Sequence, residues 1–338
     1  MEPDRAGSYS GTVLGEDTMI LDRNFLARTA AGTGFRAEML EKVAHLLNLL
    51  RAIRENDFLR TRLALKGGTA LNLFHFNLSR LSVDIDLNYV GAADRKTMLA
   101  ERPELEARLS SLCEREGYEI RHTPDSQFAG GKWQLRYASS RGGQGNIEID
   151  INYMFRLPLW PLTAKSSVSI GALQVEELLL MDIHELAAGK IAALLDRSAA
   201  RDLYDAVKLL STPDIDHVRL RTALVVYAGM NSHDLVDISP NNLKISAEEV
   251  AERLTPLLRR GEVGNSPPEV RAYTEILLAQ CKELLEPFLP FQQQEREFLM
   301  ALAEQGEIRS ELLTNDMELA DRIRQQPMLL WRVHNSRK

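Results

Sequence analysis

The sequence predicts an α+β fold, in which a small mixed sheet follows an N-terminal helical segment and precedes a larger, mainly helical domain. Two segments predict the sheet, because Leu81–Tyr89 and Asn146–Tyr153 alternate apolar and polar side chains as half-buried strands do. Helices are predicted where apolar residues recur at spacings of three and four. This spacing covers residues 22–54 and most of the chain after Asp216.

Three regions follow from these patterns. Residues 1–60 are expected to hold a polar lead-in, up to about residue 20, and then two helices. Residues 61–160 are expected to form the α/β core, and residues 161–338 the helical C-terminal domain. The boundary is placed after the two prolines of FRLPLWP, at 155–161.

The elements within the core are predicted in chain order. An apolar strand at Leu63–Leu65 leads through two glycines into a short helix, and a second strand follows. The remaining core elements are a helix at Ala92–Glu116 and strands at Tyr118–His122, Lys132–Ala138 and Asn146–Tyr153. An extended piece is expected near 168–175. The C-terminal helices are expected at 220–228, 247–259, 268–289, 293–304 and 315–325.

Composition limits the possible functions. The 338 residues are 44% hydrophobic and 26% charged, as in an ordinary soluble globular protein. The net charge of −7 means that any nucleic-acid binding must rest on a local basic patch. Cys113 and Cys281 form no metal or disulfide motif, which favours buried thiols. We expect a cytoplasmic protein without membrane contact, since no secretory signal or membrane-length apolar run is present.

An acidic pair lies on the second predicted strand. Asp84 and Asp86 are two residues apart, so they point to one face, with Ser82 on the same side. Two neighbouring carboxylates repel each other unless a cation lies between them. Oxygen ligands of this kind suit Mg²⁺, which binds through one or two carboxylates plus the phosphates of a nucleotide.

A glycine pair precedes the short helix. Lys66, Gly67, Gly68 and Thr69 stand where a strand turns into a helix, and backbone N–H groups at such a turn bind anions. The spacing is not that of a P-loop. We predict that these residues, with Ser82, hold the phosphates of a nucleoside triphosphate.

A third acid is available on the strand NIEIDINY. Glu148 and Asp150 share its polar face, and either could supply a further carboxylate that helps activate an attacking hydroxyl.

Further charges lie on a predicted helix pair. Lys190 stands inside an otherwise apolar helix that begins at an Asp182 N-cap, and a lysine there needs a partner for its ammonium group. Asp202 and Asp205 are three residues apart and share a helix face. Arg197 and Arg201 share a face only if the helix is continuous between them, and they could pair with these acids or bind phosphate.

Taken in order, these motifs resemble those of the AbiEii/MenT-type nucleotidyltransferase toxins, relatives of the polymerase-beta-like nucleotidyltransferases. The resemblance rests on KGGTAL, on RLSVDIDL and on K-x-x-A-L-x-x-R followed by R-D-x-x-D. It implies that Lys190 contacts the nucleotide phosphates and that Asp150 is the third acid, although Glu148 stays open. It also implies that either Asp202 or Asp205 is catalytic or orients Lys190.

The predicted function is therefore Mg²⁺-dependent transfer of a nucleotide from an NTP, by the toxin of an abortive-infection type toxin–antitoxin system. The resemblance implies the 3′ end of tRNA as acceptor and a cognate antitoxin as partner. Two alternatives remain: modification of a protein or small molecule, and a non-catalytic nucleotide-binding module.

Overall fold

The computed structural model describes residues 22–125, 130–231, 236 and 238–336. The predicted lead-in over residues 1–20 therefore lies outside the described residues.

Seven strands form one mixed sheet. They are β1 (Leu63–Lys66), β2 (Asp84–Tyr89), β3 (Glu119–His122), β4 (Gly130–Ala138), β5 (Gln144–Asn152), β6 (Thr163–Lys165) and β7 (Leu178–Leu180). Their order across the sheet is β3-β4-β5-β2-β1-β7-β6. The β2–β5 and β1–β7 pairs are parallel and the other pairs are antiparallel. The predicted α+β class with a mixed sheet is confirmed.

Helices precede the sheet, connect its strands and make up most of the chain that follows. They are α1 (Arg23–Thr33), α2 (Ala37–Glu55), α3 (Gly67–Ala70), α4 (Arg95–Arg115), α5 (Ile183–Arg197), α6 (Ala200–Leu210), α7 (His217–Met230), α8 (Ala247–Glu249), α9 (Pro267–Leu285), α10 (Gln293–Met300), α11 (Met317–Arg324) and α12 (Pro327–Ser336). Helices α3, α8 and α10 continue as π-helical turns at Leu71–His75, Val250–Leu254 and Ala301–Gln305, and short 3₁₀ turns lie at Pro240–Asn242, Thr255–Leu257 and Ser310–Leu312.

Helices α2 and α4 cover one face of the sheet. Ile85 and Ile149 are fully buried on that face, and α2 packs on β5. Trp133 on β4 lies opposite Ile149 and donates to the hydroxyl of Ser110 on α4 at 3.3 Å. The apolar residues that alternate along the strands thus form the core under α2 and α4, and the polar residues between them face the other side.

Two boundaries differ from the sequence prediction near the acidic strand. The helix begins at Gly67 rather than after Thr69, and β2 begins at Asp84 rather than at Leu81. Ser82 therefore precedes the strand that carries the acids, and the expectation that it lies on that strand is wrong. Residues 81–83 pair with no strand, so the period of two does not apply to them.

The break after α5 also matters for the site. Asp182 caps α5 as predicted, accepting from the backbone N–H of His184. The helix ends at Ser198, whose φ of 51° is left-handed. Arg197 and Arg201 consequently lie on different helices and point to different partners.

Beyond residue 160, most predicted helices are present, but the prediction missed β6, β7 and α12. The first two are three-residue strands, too short for a periodic signal. The expected extended piece near 168–175 contains only a bridge between Ile170 and Leu173. Because β6 and β7 complete the sheet from within the region 161–338, the division into three domains stays a prediction.

Two expectations from composition can be compared with the described residues. Both cysteines are buried, as expected, and burial raises the pKa of each thiol to about 12. In the described part of the chain, no helix has the length and apolar character needed to cross a membrane.

Candidate active site

A row of four charged residues crosses the polar face of the sheet. Lys66 on β1 lies opposite Asp86 on β2, Asp86 lies opposite Asp150 on β5, and Asp150 lies opposite Lys132 on β4. Residues paired in this way share a face of the sheet and lie about 5 Å apart. The structure therefore brings Asp86 and Asp150, which are far apart in the sequence, side by side between two lysines.

Asp84 and Glu148 form the next row, and each carboxylate accepts from a cationic side chain. Asp84 accepts from Arg201 on α6 at 3.4 Å. Glu148 accepts from Lys132 at 3.0 Å and from Gln134 at 3.4 Å. Glu148 thus points toward β4.

Asp150 has a different environment from Glu148. It forms no ion pair within the described residues and lines a cleft next to the sheet. Burial raises the pKa of Asp150, Lys66 and Lys132 lower it, and the neighbouring Asp86 and Glu148 raise it further, so the net shift is upward. Of the two acids that the sequence left open, Asp150 is the one that lines the cleft.

Glycine is required at positions 67 and 68 because neighbouring side chains come very close to the backbone there. Gly67 has a left-handed φ of 73°, and a Cβ there would lie 2.2 Å from Oδ2 of Asp86. A Cβ at Gly68 would lie 2.7 Å from Nη2 of Arg80. Only glycine allows the start of α3 to pass this close to the acids and to Arg80.

Thr69 and Ser82 lie behind the cleft. The buried Thr69 hydroxyl donates to the backbone carbonyl of Asp84 at 2.5 Å and lies 3.0 Å from the Ser82 hydroxyl. Of the predicted phosphate-binding segment, Lys66 and Gly67 line the cleft. The two hydroxyls instead brace the start of the acidic strand.

Lys190 is the centre of a charge network on α5 and α6. Its ammonium lies 2.8 Å from Asp202 and 3.1 Å from Asp205. Arg197 donates to Asp202 at 2.6 and 2.9 Å. Burial alone would lower the pKa of Lys190, but Asp205 and Asp202 outweigh it and the pKa is raised. The lysine therefore stays protonated.

Arg80 anchors the other end of this network, a role that the sequence did not reveal. Its guanidinium donates to both oxygens of Asp205, at 2.8 and 2.6 Å, and Asn72 donates to the same carboxylate at 3.2 Å. Burial opposes ionisation of Asp205, yet Arg80 and Lys190 hold its pKa below the ordinary value. In the sequence, the sign that pointed to Arg80 was its place as the first residue of the motif R-x-S-x-D-x-D, where an apolar residue follows it.

The two acids of α6 are thereby distinguished. All of the acceptor capacity of Asp205 is directed to Arg80, Asn72 and Lys190, and the side chain is fully buried. Asp202 holds Lys190 with one oxygen and Arg197 with the other, and it lines the cleft. Every oxygen of the two carboxylates accepts from at least one cation.

The cleft lies between the polar face of the sheet and helices α5, α6, α7 and α12, and has a volume of about 610 Å³. Its charged part is lined by Lys66, Asp86, Asp150, Lys190, Asp196, Arg197 and Asp202. The rest, called the apolar end here, is lined mainly by aromatic, methionine and small side chains, with the buried Glu185 among them. The acids of the sheet and the lysine of α5 thus face a single space.

The donor set suits a hard divalent cation shared with a substrate. Within the described ranges, no three His, Cys, Asp or Glu side chains come together as a complete metal cluster. Asp84 and Asp86 alternate on one strand, however, and Asp150 lies beside Asp86. Because Mg²⁺ usually takes one or two carboxylates and completes its shell with phosphate oxygens and water, this set fits it.

Comparisons with known proteins agree with this geometry. The model of the family described as nucleotidyl transferase AbiEii toxin, type IV toxin–antitoxin system, matches residues 48–292. Among solved structures, the chain is similar to MenT4, a nucleotidyltransferase toxin from Mycobacterium tuberculosis H37Rv, with a TM-score of 0.58 and 23% identity. That match covers 89% of this chain and 99% of MenT4, and it shows a shared fold. No curated protein sequence matches the chain.

Proposed function

This chain belongs to the family of AbiEii nucleotidyltransferase toxins of type IV toxin–antitoxin systems, and from that membership we propose that it transfers a nucleotide from an NTP to the 3′ end of tRNA in a Mg²⁺-dependent reaction. An antitoxin partner is implied by the family. The metal, the acceptor and the residue roles below are the proposal.

One observation carries the proposal: Asp86 and Asp150 on the sheet and Lys190 on α5 line the same cleft. Asp84 and Asp86 would hold Mg²⁺, which when bound would offset negative charge on the α-phosphate and the leaving phosphates. The remaining chemistry belongs to side chains of the chain itself.

Lys190 and Arg197 bind the phosphates. The ammonium of Lys190 has three N–H donors, and Asp202 and Asp205 take two of them. The third is free for a phosphate oxygen. Arg197 donates to Asp202 through Nε and Nη2, which leaves Nη1 for a second phosphate contact. Asp202 fixes both cations, so they are positioned before the substrate arrives.

Asp150 acts as the general base. Its raised pKa brings it closer to neutrality than an ordinary aspartate, which suits a group that must accept a proton during the reaction. It takes the proton of the acceptor hydroxyl as that oxygen bonds to the α-phosphorus. The bond from the α-phosphorus to the bridging oxygen breaks at the same centre, and pyrophosphate leaves.

A large acceptor has access to this base. Beside Asp150 the polar face of the sheet continues onto β4, where Lys132 and Gln134 are exposed. The exposure of these two side chains beside Asp150 supports a macromolecular acceptor such as the end of a tRNA over a small molecule enclosed in the cleft.

The test is to incubate the protein with each labelled NTP, Mg²⁺, total tRNA and total cellular protein. We expect label in the tRNA, and Asp84→Ala should abolish both labelling and growth inhibition. Label in protein and not in tRNA would show that the acceptor is a protein. Unchanged toxicity of the Asp84→Ala variant would refute the catalytic proposal.

A further inference from the structure

The apolar end of the cleft is not explained by phosphate binding or by general base chemistry. Three aromatic and three methionine side chains line it: Phe155, Met181, Tyr227, Met230, Met328 and Trp331. The phosphate contacts proposed for Lys190 and Arg197 use none of these six side chains, and the carboxyl of Glu185 lies among them as the acceptor of the Tyr227 hydroxyl. Apolar surface that continues from a polar site indicates that one ligand carries both kinds of group.

Part of the cleft wall formed by α5 carries small residues. Gly189, Ala192 and Ala193 line the cleft there, between the larger side chains of the same helix. A Cβ at Gly189 would lie only 3.3 Å from the ring of Tyr227. The hydroxyl of Tyr227 donates to Glu185 at 3.2 Å, and its ring packs on Phe155 with 5.6 Å between the ring centroids. These two contacts hold the Tyr227 ring in place. A groove of small residues beside fixed rings suits a planar, aromatic group.

The last helix, α12, completes this end of the cleft. Arg332 donates to the carbonyls of Gly229 and Asn231 at 2.9 and 2.6 Å, and so ties α12 to the end of α7. Trp331, the residue before it, is 50% exposed although it is one of the largest apolar side chains. Its indole thus lies at the mouth of the cleft with a face available for stacking.

Asn88 supplies an independent sign of a ligand. It lies two residues beyond Asp86 on β2, hence on the same face, and it lines the cleft. The residue is 1% exposed, yet its Oδ1 has no hydrogen-bond partner among the described residues. Buried carboxamides are normally satisfied, because leaving one without a partner costs free energy.

We propose that the apolar end is the nucleobase subsite, in which the base of the NTP packs among the aromatic side chains and is covered by Trp331. The carboxamide of Asn88 hydrogen-bonds the polar edge of the nucleoside. Since a carboxamide offers both a donor and an acceptor, Asn88 contributes to the choice of nucleotide. This inference rests on the proposed nucleotide transfer.

The experiment compares triphosphate ligands that carry a nucleoside with one that carries none. Calorimetric titrations use the four α,β-methylene NTP analogues, which are not turned over, and inorganic tripolyphosphate, all with Mg²⁺. Loss of one stacking side chain in Trp331→Ala should weaken binding of the preferred analogue about tenfold. Asn88→Leu, which loses one hydrogen bond, should weaken it roughly fivefold and narrow the differences between bases. Binding of tripolyphosphate should not change in either variant.

Matched controls exclude a general effect on folding. Leu330→Ala alters the neighbouring exposed side chain of α12 without touching the cleft, and should bind like the unmodified protein. Asn88→Leu keeps the branching of the side chain and removes an unpartnered polar atom, so its melting temperature should stay close to that of the unmodified protein.

Three results would overturn the inference. The first is that both variants bind the analogues as strongly as the unmodified protein does. The second is that tripolyphosphate binding weakens in parallel with analogue binding. In either of these cases nucleotide transfer itself still stands. If the unmodified protein binds no analogue of any base, the proposed function and this inference fall together.

Discussion

Replacing Arg80 with methionine removes a guanidinium that is 2% exposed and that donates twice to the fully buried Asp205. Asp205 then keeps only Lys190 and Asn72 as partners. Breaking a buried, hydrogen-bonded ion pair on one side costs about 3–5 kcal/mol, because the remaining charge stays away from water. We expect Arg80→Met to lower the free energy of unfolding by about that amount.

Arg197 offers a matched control on the same network. It also makes a double contact with an aspartate of α6, but its side chain is 62% exposed. Asp202 is only 2% exposed, but it keeps Lys190 as a partner when Arg197 is lost, and the Arg197 end of the pair is already in water. Arg197→Met should therefore be destabilised clearly less than Arg80→Met, while its nucleotide transfer falls because a phosphate contact is lost.

The assay is urea denaturation followed by circular dichroism, with nucleotide transfer measured on the same samples. Arg80→Met should shift the unfolding midpoint strongly, and adding Asp205→Asn should restore part of the loss by removing the unpaired charge. Equal, small destabilisation by Arg80→Met and Arg197→Met would refute the reasoning, because burial would then not govern the strength of these pairs.

Three further predictions concern single residues. Asp150→Asn should lower kcat by about 10²–10⁴ and abolish the acid limb of the pH–rate profile of transfer; a retained limb would exclude Asp150 as the base. Gly67→Ala places a Cβ 2.2 Å from Asp86 Oδ2 at a left-handed φ, so it should cost about 1–3 kcal/mol and abolish transfer, as denaturation and activity assays would show. Burial raises the pKa of Glu185 to about 8, so the folded state keeps a proton that the unfolded state releases between pH 4.5 and about 8, and stability falls as the pH rises through that range. Glu185→Gln should remove this fall, and melting curves at pH 5 and pH 8 that shift equally in both proteins would contradict it.

The parts of the site that local geometry determines were predictable from the sequence. A strand has a period of two, so Asp84 and Asp86 had to share a face wherever the strand lay. The same rule extends to Asn88, the next member of the series, although an asparagine gave no reason to be singled out. Lys190 could be singled out because a lysine in an apolar helix needs a partner.

The remaining parts depend on contacts between distant segments. Whether Asp150 or Glu148 faces the cleft depends on which neighbour binds the other acid, and Lys132 on β4 binds Glu148. The roles of Asp202 and Asp205 depend on Arg80, more than 120 residues away in the chain. Strand β7 has only three residues, and its place beside β1 is fixed by pairing rather than by its own pattern.

The charges on the two sides of the cleft give a bound triphosphate a direction. On the helical side, Lys190 and Arg197 line the cleft beside Asp196 and Asp202, and both cations keep N–H donors beyond those that Asp202 and Asp205 accept. On the sheet, Asp86 and Asp150 line the cleft with Lys66. Phosphate oxygens can accept from the donors of the first side, and a metal ion can bind the carboxylates of the second. We therefore expect the outer phosphates to lie toward α5 and α6 and the metal-bound α-phosphate toward the sheet, where Asp150 can reach the attacking hydroxyl.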